Sequence, residues 1–362
     1  MSVYLLCFIP FKSYLSSIKP TKMKKLLSFF LSITLLFISC KDGKVKNEFT
    51  IETNQTIQPI KNIESWEQPP RWAYADDSAD TELLVPSDES VRQVPGSNLV
   101  LPYRQVHDPF YTPDWHPQDH PEMPPIVAVG RKPEIFACGF CHRANGTGGP
   151  ENASINGLSV AYIKQQIVDF KSGARRNPVA SRLPFELMIT LSHSLSVDEI
   201  DAAANYFSSL DPFENIDVVE TEQVPLTFEK GWHLAVLDNE NFEPIGDRII
   251  EVPADLDQFI NRDSRIKFIA YAPIGSIDRG KHIATSASVN IACVSCHGEG
   301  LRGIGDIPRL AGRSPSYIVR QLHDFQTGFR SGSNGGVMET ISRTLSSEDI
   351  IDLAAYIASL KP

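Results

Sequence analysis

Cysteine and methionine are both scarce in this sequence, and neither is in surplus. Of the six cysteines, four form two Cys-x-x-Cys pairs, Cys138 with Cys141 and Cys293 with Cys296, while Cys7 and Cys40 lie in an apolar leader. None remains for a disulfide framework. Basic charge is short as well: 34 Lys and Arg against 44 Asp and Glu leave a net charge of −10. Residues 1–40 hold five lysines and no acid, so the rest of the chain is more acidic still. Such a surface repels phosphate backbones and excludes nucleic acid as a partner. Long apolar runs are missing too. The run at residues 26–38 has thirteen members, short of the roughly 20 that a spanning helix needs.

That run belongs to an export signal. Met23 opens it, Lys24 and Lys25 form its charged region, and Ser39-Cys40 closes it ahead of a polar stretch. A small residue before Cys resembles a bacterial lipoprotein signal, which makes Cys40 the lipidated first residue of the mature chain and Met23 a candidate true start. The chain is therefore expected in the periplasm or cell envelope, held to the membrane by a lipid anchor. An uncleaved anchor helix is the alternative.

The chain then divides. Residues 41–125 are polar and proline-rich, with Trp66, Trp72, Tyr74, Tyr103, Phe110, Tyr111 and Trp115 as punctuation. Frequent prolines argue against long helices, so a tether leading into an extended strap is expected. Residues 126–212 and 275–362 are copies of one another. At an offset of 155, Cys138 maps to Cys293, Gly157 to Gly312, Tyr162 to Tyr317, Gln166 to Gln321, Asp169 to Asp324 and Arg175 to Arg330. At an offset of 150, Met188 maps to Met338 and Tyr206 to Tyr356. Leu158, Tyr162, Ile163, Ile167 and Phe170 share one helical face, as do Ile350, Leu353, Ala354 and Ile357. Ser196 with Glu199 and Ser346 with Asp349 supply an N-cap and an acidic third position for each last helix. The fold is thus expected to be mainly α, as two helical domains. The 213–274 insert, with strand-like residues 248–252, should pack against one or both of them.

Each pair is followed by histidine, as CGFCH at 138–142 and CVSCH at 293–297. Two thiols one helical turn apart reach the vinyl edge of one haem as thioethers, and the next residue, His142 or His297, then faces the iron. A structural zinc site needs further ligands, and no cysteine remains to supply them. A redox dithiol needs a βαβ context that is absent. For the sixth ligand, Met188 and Met338 occupy matching places before each last helix, where a loop can bring a thioether across the haem. His193 rivals Met188, but its counterpart is Arg343. His282 and His323 read as surface or packing residues. His116, His120 and Met123, with prolines after both histidines, read as part of a rigid strap, with a metal site as the alternative.

These motifs, with GLSVAYIKQQIVDFKSGARR matching GRSPSYIVRQLHDFQTGFRSG and SLSVDEIDAAANYFSSL matching TLSSEDIIDLAAYIASL, resemble the class I cytochrome c family in its tandem, di-haem form, similar to cytochrome c4 and to cytochrome subunits of periplasmic dehydrogenases. The resemblance implies that first and last helices cross, that His and Met ligate iron, and that a loop proline supports the proximal histidine through its carbonyl. Pro308 matches that proline for His297. In the first copy Pro150 is three places out of register, and Pro133 interrupts the expected first helix. The implied function is electron transfer through two covalently attached haems c, between redox partners such as a dehydrogenase, another cytochrome or a terminal oxidase, without substrate chemistry of its own. The alternatives are the cytochrome subunit of an alcohol or sugar dehydrogenase and a di-haem peroxidase.

Overall fold

The computed structural model describes residues 65–76, 87–238, 240–286 and 292–362. The leader, with Cys40 and the expected lipidation, lies outside the described residues. Ahead of the first copy the prolines keep every element short: β1 (Val91–Arg92) pairs antiparallel with β2 (Leu101–Pro102), followed by α1 (Tyr103–Val106) and α2 (Pro125–Ala128). Val94, Val106 and Trp115 form a small core of their own here.

In the first copy α3 (Cys138–His142) carries the motif, followed by α4 (Val160–Lys171), α5 (Leu183–Ser194) and α6 (Val197–Ser209). The Ser159 hydroxyl accepts from the Tyr162 N–H at 3.1 Å to start α4. Ser196 and Glu199 close a reciprocal capping box at the start of α6. Apolar faces of α4 and α6 meet in a core of Leu158, Ile163, Tyr206, Phe207 and Leu210.

The insert is richer in strand than the rest of the chain. It runs β3 (Ile216–Glu220), β4 (Gln223–Pro225), β5 (Thr227–Lys230), β6 (His233–Val236), β7 (Phe242–Pro244), β8 (Ile250–Pro253), α7 (Leu256–Ile260) and β9 (Phe268–Ala272). β9 lies between parallel β3 and antiparallel β8, and β5 and β6 form a hairpin. Along β9, Phe268, Ala270 and Ala272 are buried while Ile269 and Tyr271 are half-buried, the two-residue period of a strand.

The second copy supplies α8 (Ser276–Thr285), α9 (Val294–His297), α10 (Pro315–Gln326), α11 (Gly336–Ser342) and α12 (Ser347–Ser359). α8 packs across α12. A Cβ at Gly280 would stand 2.0 Å from the Asp352 carbonyl oxygen, so the missing side chain is what lets the two backbones approach. Arg279 grips the Asp352 carboxylate with two bonds of 2.8 Å. The crossing implied by the family resemblance is thus present in copy two. In copy one the four-residue α2 is what stands in that place on α6, because Pro124 caps it, Pro125 opens it and residues 131–135 turn back on themselves.

Candidate functional site

The motif histidines are built alike. The His142 Nδ1–H donates to the Ala153 carbonyl at 2.8 Å, and the His297 Nδ1–H to the Pro308 carbonyl at 2.8 Å. Both acceptors stand eleven residues after their histidine. The register is therefore kept at Ala153, and Pro150 serves elsewhere, its carbonyl accepting from Arg320. The acceptor is a backbone oxygen, so alanine performs in copy one what proline performs in copy two. With Nδ1 so engaged, Nε2 is the ring nitrogen left to bind a metal. Burial holds both imidazoles below their usual pKa, and the carbonyl bonds only partly offset it. The neutral ring is the ligating form.

The thiols point the same way. Cys138, Cys141, Cys293 and Cys296 are all free of disulfides. Burial pushes the Cys138 thiol up to about 12, and raises Cys141 and Cys293 as well. A redox dithiol requires the opposite, a thiol held low by neighbouring cations or a helix N-terminus.

His142 lines a cleft whose walls include Ile155, Leu158, Ile163, Ile167, Phe170, Phe185 and Met188. His142 and Met188 thus share one apolar chamber, whereas His193 is exposed at the end of α5. Met188 is placed by a helix, as is Met338 on α11, where a loop was expected. Pro184 at the start of α5 and Gly335 ahead of α11 allow each helix to begin early enough to include the methionine. Met338 packs against the core of copy two alongside Cys293 and Val294.

The same cleft is rimmed by buried cations. Arg175, Arg182 and Arg313 each keep one guanidinium N–H without a partner among the described residues. A buried donor left unpaired is costly. An apolar slot between an imidazole and a thioether, with cations at its edge, fits a planar metal macrocycle that bears carboxylates. The residues present therefore fit haem.

Arg313 and Tyr317 reach this cleft from the second copy. The copies meet along a two-fold seam: Arg175 and Arg330 face each other in an antiparallel bridge, the Arg176 N–H donates to the Phe329 carbonyl at 2.7 Å, and the Ser331 N–H to Ala174 at 2.8 Å. Arg175 donates to Gln166 at 3.1 Å and Gln321 at 2.8 Å, and Arg330 to Gln321 at 2.8 Å, Gln166 at 2.9 Å and the Tyr162 hydroxyl at 2.9 Å. Burial alone would raise the Tyr317 phenol, but Arg175, Arg330 and Arg313 outweigh it and bring it down to about 8. The sequence repeat contains Tyr162, Gln166 and Arg175 with their counterparts Tyr317, Gln321 and Arg330. Their meeting across an axis was not readable from it.

The insert treats the two motifs unequally. Arg262 lies 3.7 Å over the Phe140 ring and donates to the Phe140 carbonyl at 2.9 Å. Arg143 donates to the Asp263 carbonyl at 3.0 Å and Asn145 to that of Ser264 at 2.8 Å. The matching positions of copy two are Ser295, Gly298 and Gly300, which have no comparable reach. The strap joins this grip: Trp115 donates to the Asn261 carbonyl at 2.7 Å, and buried His116 pairs with Asp263 at 3.0 Å. His120 pairs with Asp114 at 3.0 Å, and no metal-binding group of three or more His, Cys, Asp or Glu occurs among the described residues. His323 is a buried packing residue and accepts or donates at 3.0 Å with Tyr74, while His282 is exposed. Among the described residues no helix is long and apolar enough to cross a membrane.

Paired thiols, a carbonyl-backed histidine and crossing terminal helices are the marks of the cytochrome c family, and the chain belongs to it. The family profile "Cytochrome c" matches residues 277–361. A cytochrome c-554(548) from Halomonas halodenitrificans is 40% identical over 68 residues, 18% of this chain and 82% of the relative. A "Thiosulfate dehydrogenase electron acceptor" from Stutzerimonas stutzeri is 26% identical over 235 residues, 64% of this chain and 82% of the relative. Cytochrome c4 from Azotobacter vinelandii is 29% identical over 134 residues, 33% of this chain and 63% of the relative. The chain is a cytochrome c electron-transfer protein related to these carriers.

Proposed function

We propose that the chain carries two haems c and relays electrons, outside the cytoplasm, from a dehydrogenase to a downstream acceptor. One haem would be held through Cys138 and Cys141 with His142 and Met188 as iron ligands, the other through Cys293 and Cys296 with His297 and Met338. The observation that carries this reading is the placement of His142 and Met188 on one apolar cleft. When bound, haem c supplies one-electron exchange between ferric and ferrous iron. An imidazole and a thioether at each haem would leave no iron position free, which would favour electron transfer over substrate binding and speaks against a peroxidase. Arg175, Arg182 and Arg313 hold the carboxylate edge, and the apolar walls exclude water. The relative named as an electron acceptor of thiosulfate dehydrogenase supports a donor of that kind over an alcohol or sugar dehydrogenase. A lipid on Cys40 holds the relay at the membrane.

Mass spectrometry of the exported chain should show the mass of two haems, and none at the paired thiols overturns the reading. Carbon monoxide should leave the ferrous wild type untouched, bind one haem in Met188→Ala, and bind both when Met338→Ala is added. Prompt binding by the wild type would refute His/Met ligation while leaving covalent attachment intact.

A further inference from the structure

Arg309 follows the carbonyl that backs His297, and it is 94% buried with only 6% of its surface exposed. Among the described residues no carboxylate pairs with it, and its Nε has no partner. A buried unpaired cation opposes folding unless the site uses it. Its bonds show where it reaches. Nη1 donates to the Ala311 carbonyl, and Nη2 donates to the Asn156 side-chain oxygen at 3.1 Å and the Asn156 carbonyl at 3.3 Å. Asn156 and Ala311 are matching positions of the two copies, so one guanidinium spans the same place in both.

The counterpart of Arg309 is Ser154, whose hydroxyl donates to the same Asn156 oxygen at 2.9 Å. Ser154 in turn follows Ala153, the carbonyl that backs His142. A continuous chain of bonds therefore joins the two motif histidines: His142 to Ala153, along the backbone to Ser154, through Asn156 to Arg309, back one residue to Pro308, and on to His297. Hydrogen bonding at a ligating histidine and nearby buried charge both set the potential of a bound metal.

We propose that Arg309 is a positioning residue for both sites: it ties the carbonyl that orients His297 to the loop that orients His142, and its buried charge raises both reduction potentials together. This rests on the reading that both motifs bind haem. The test is a redox titration of the holo full-length chain, with the two haems distinguished by the paramagnetically shifted resonances of their methyl groups. In Arg309→Met the oxidised-to-reduced ratio at a fixed applied potential should rise about threefold or more at both haems, and Arg309→Lys should restore most of it. Asn156→Ala keeps the charge and the longer bond to the backbone carbonyl but removes the side-chain oxygen that joins Ser154 to Arg309, so it should shift the first haem and leave the second in place. The proposal is overturned if Arg309→Met shifts only the second haem, or if Asn156→Ala leaves the first unchanged. The second outcome decides the matter even where Arg309→Met does not fold. A chain that fails a haem stain before the titration overturns the parent reading instead.

Discussion

Glu251 is a carboxylate held away from water on β8. Its Oε2 accepts from the Ser314 hydroxyl at 2.6 Å and the Ser316 N–H at 3.1 Å, which joins the insert to the start of α10, while Oε1 has no partner among the described residues. Burial raises its pKa, and the bonds from Ser314 and Ser316 only partly offset that. The folded state therefore binds this proton more tightly than the unfolded chain. The stability it contributes is full below the ordinary carboxylate range and is lost as pH rises through the folded pKa. Glu251→Gln keeps an acceptor for both serines and cannot ionise. Urea midpoints measured from below the carboxylate range up to neutrality should show the variant gaining on the wild type as pH rises. A constant gap would mean that Glu251 does not titrate in the fold. At this scale the candidate ligands proposed above came from sequence alone, the CxxCH residues by their spacing and Met188 and Met338 by scarcity. Arg262, Arg309 and Glu251 did not, because their partners lie far along the chain and no local pattern announces a long-range contact.

Among the elements, the crossing of α8 and α12 depends most on one residue. Alanine is the better helix former by about 1 kcal/mol, yet a Cβ at Gly280 meets backbone at Asp352 and the Tyr356 Cβ at 2.8 Å. Backbone cannot swing aside as a side-chain tip can, so overpacking decides the sign. Gly280→Ala should cost about 1–3 kcal/mol, read as a lower denaturant midpoint with unchanged slope. Both capping boxes and the apolar faces of α4 and α12 were readable from sequence, because caps and helical periodicity are local. The insert was readable only as strand-containing. β3 joins β9 in the register Ile216 to Phe268, and a pairing across that separation is set by burial rather than by any turn between the strands. The first helix of copy one was rightly doubted on account of Pro133. What replaces it, a short α2 braced by the strap, came only with the structure.

For the whole molecule the seam between the copies carries the coupling. Arg175 is buried and bonds Gln166 in its own copy and Gln321 in the other. Arg175→Ala removes one charged donor from each amide and leaves Arg330 as the remaining donor to both, and hydrogen bonds to charged groups are each worth about 1.5–3 kcal/mol. The variant should lose stability on that order and unfold in two steps by calorimetry, as the copies come apart before they melt. A single undiminished transition would show that the insert alone holds them together.

The antiparallel facing of Arg175 and Arg330 has an evolutionary reading. A surface that meets its own image, with one pair of counterparts on the axis and the neighbouring contacts reciprocal, is the hallmark of a two-fold homodimer. Fusing both subunits into one polypeptide frees their meeting from dilution. It also lifts the rule that every change appear twice, so that one half could accept Phe140, Arg143 and Asn145 as handholds for the insert at its motif while the other kept Ser295, Gly298 and Gly300 there. Inequality between two sites that began identical gives such a carrier a front and a back.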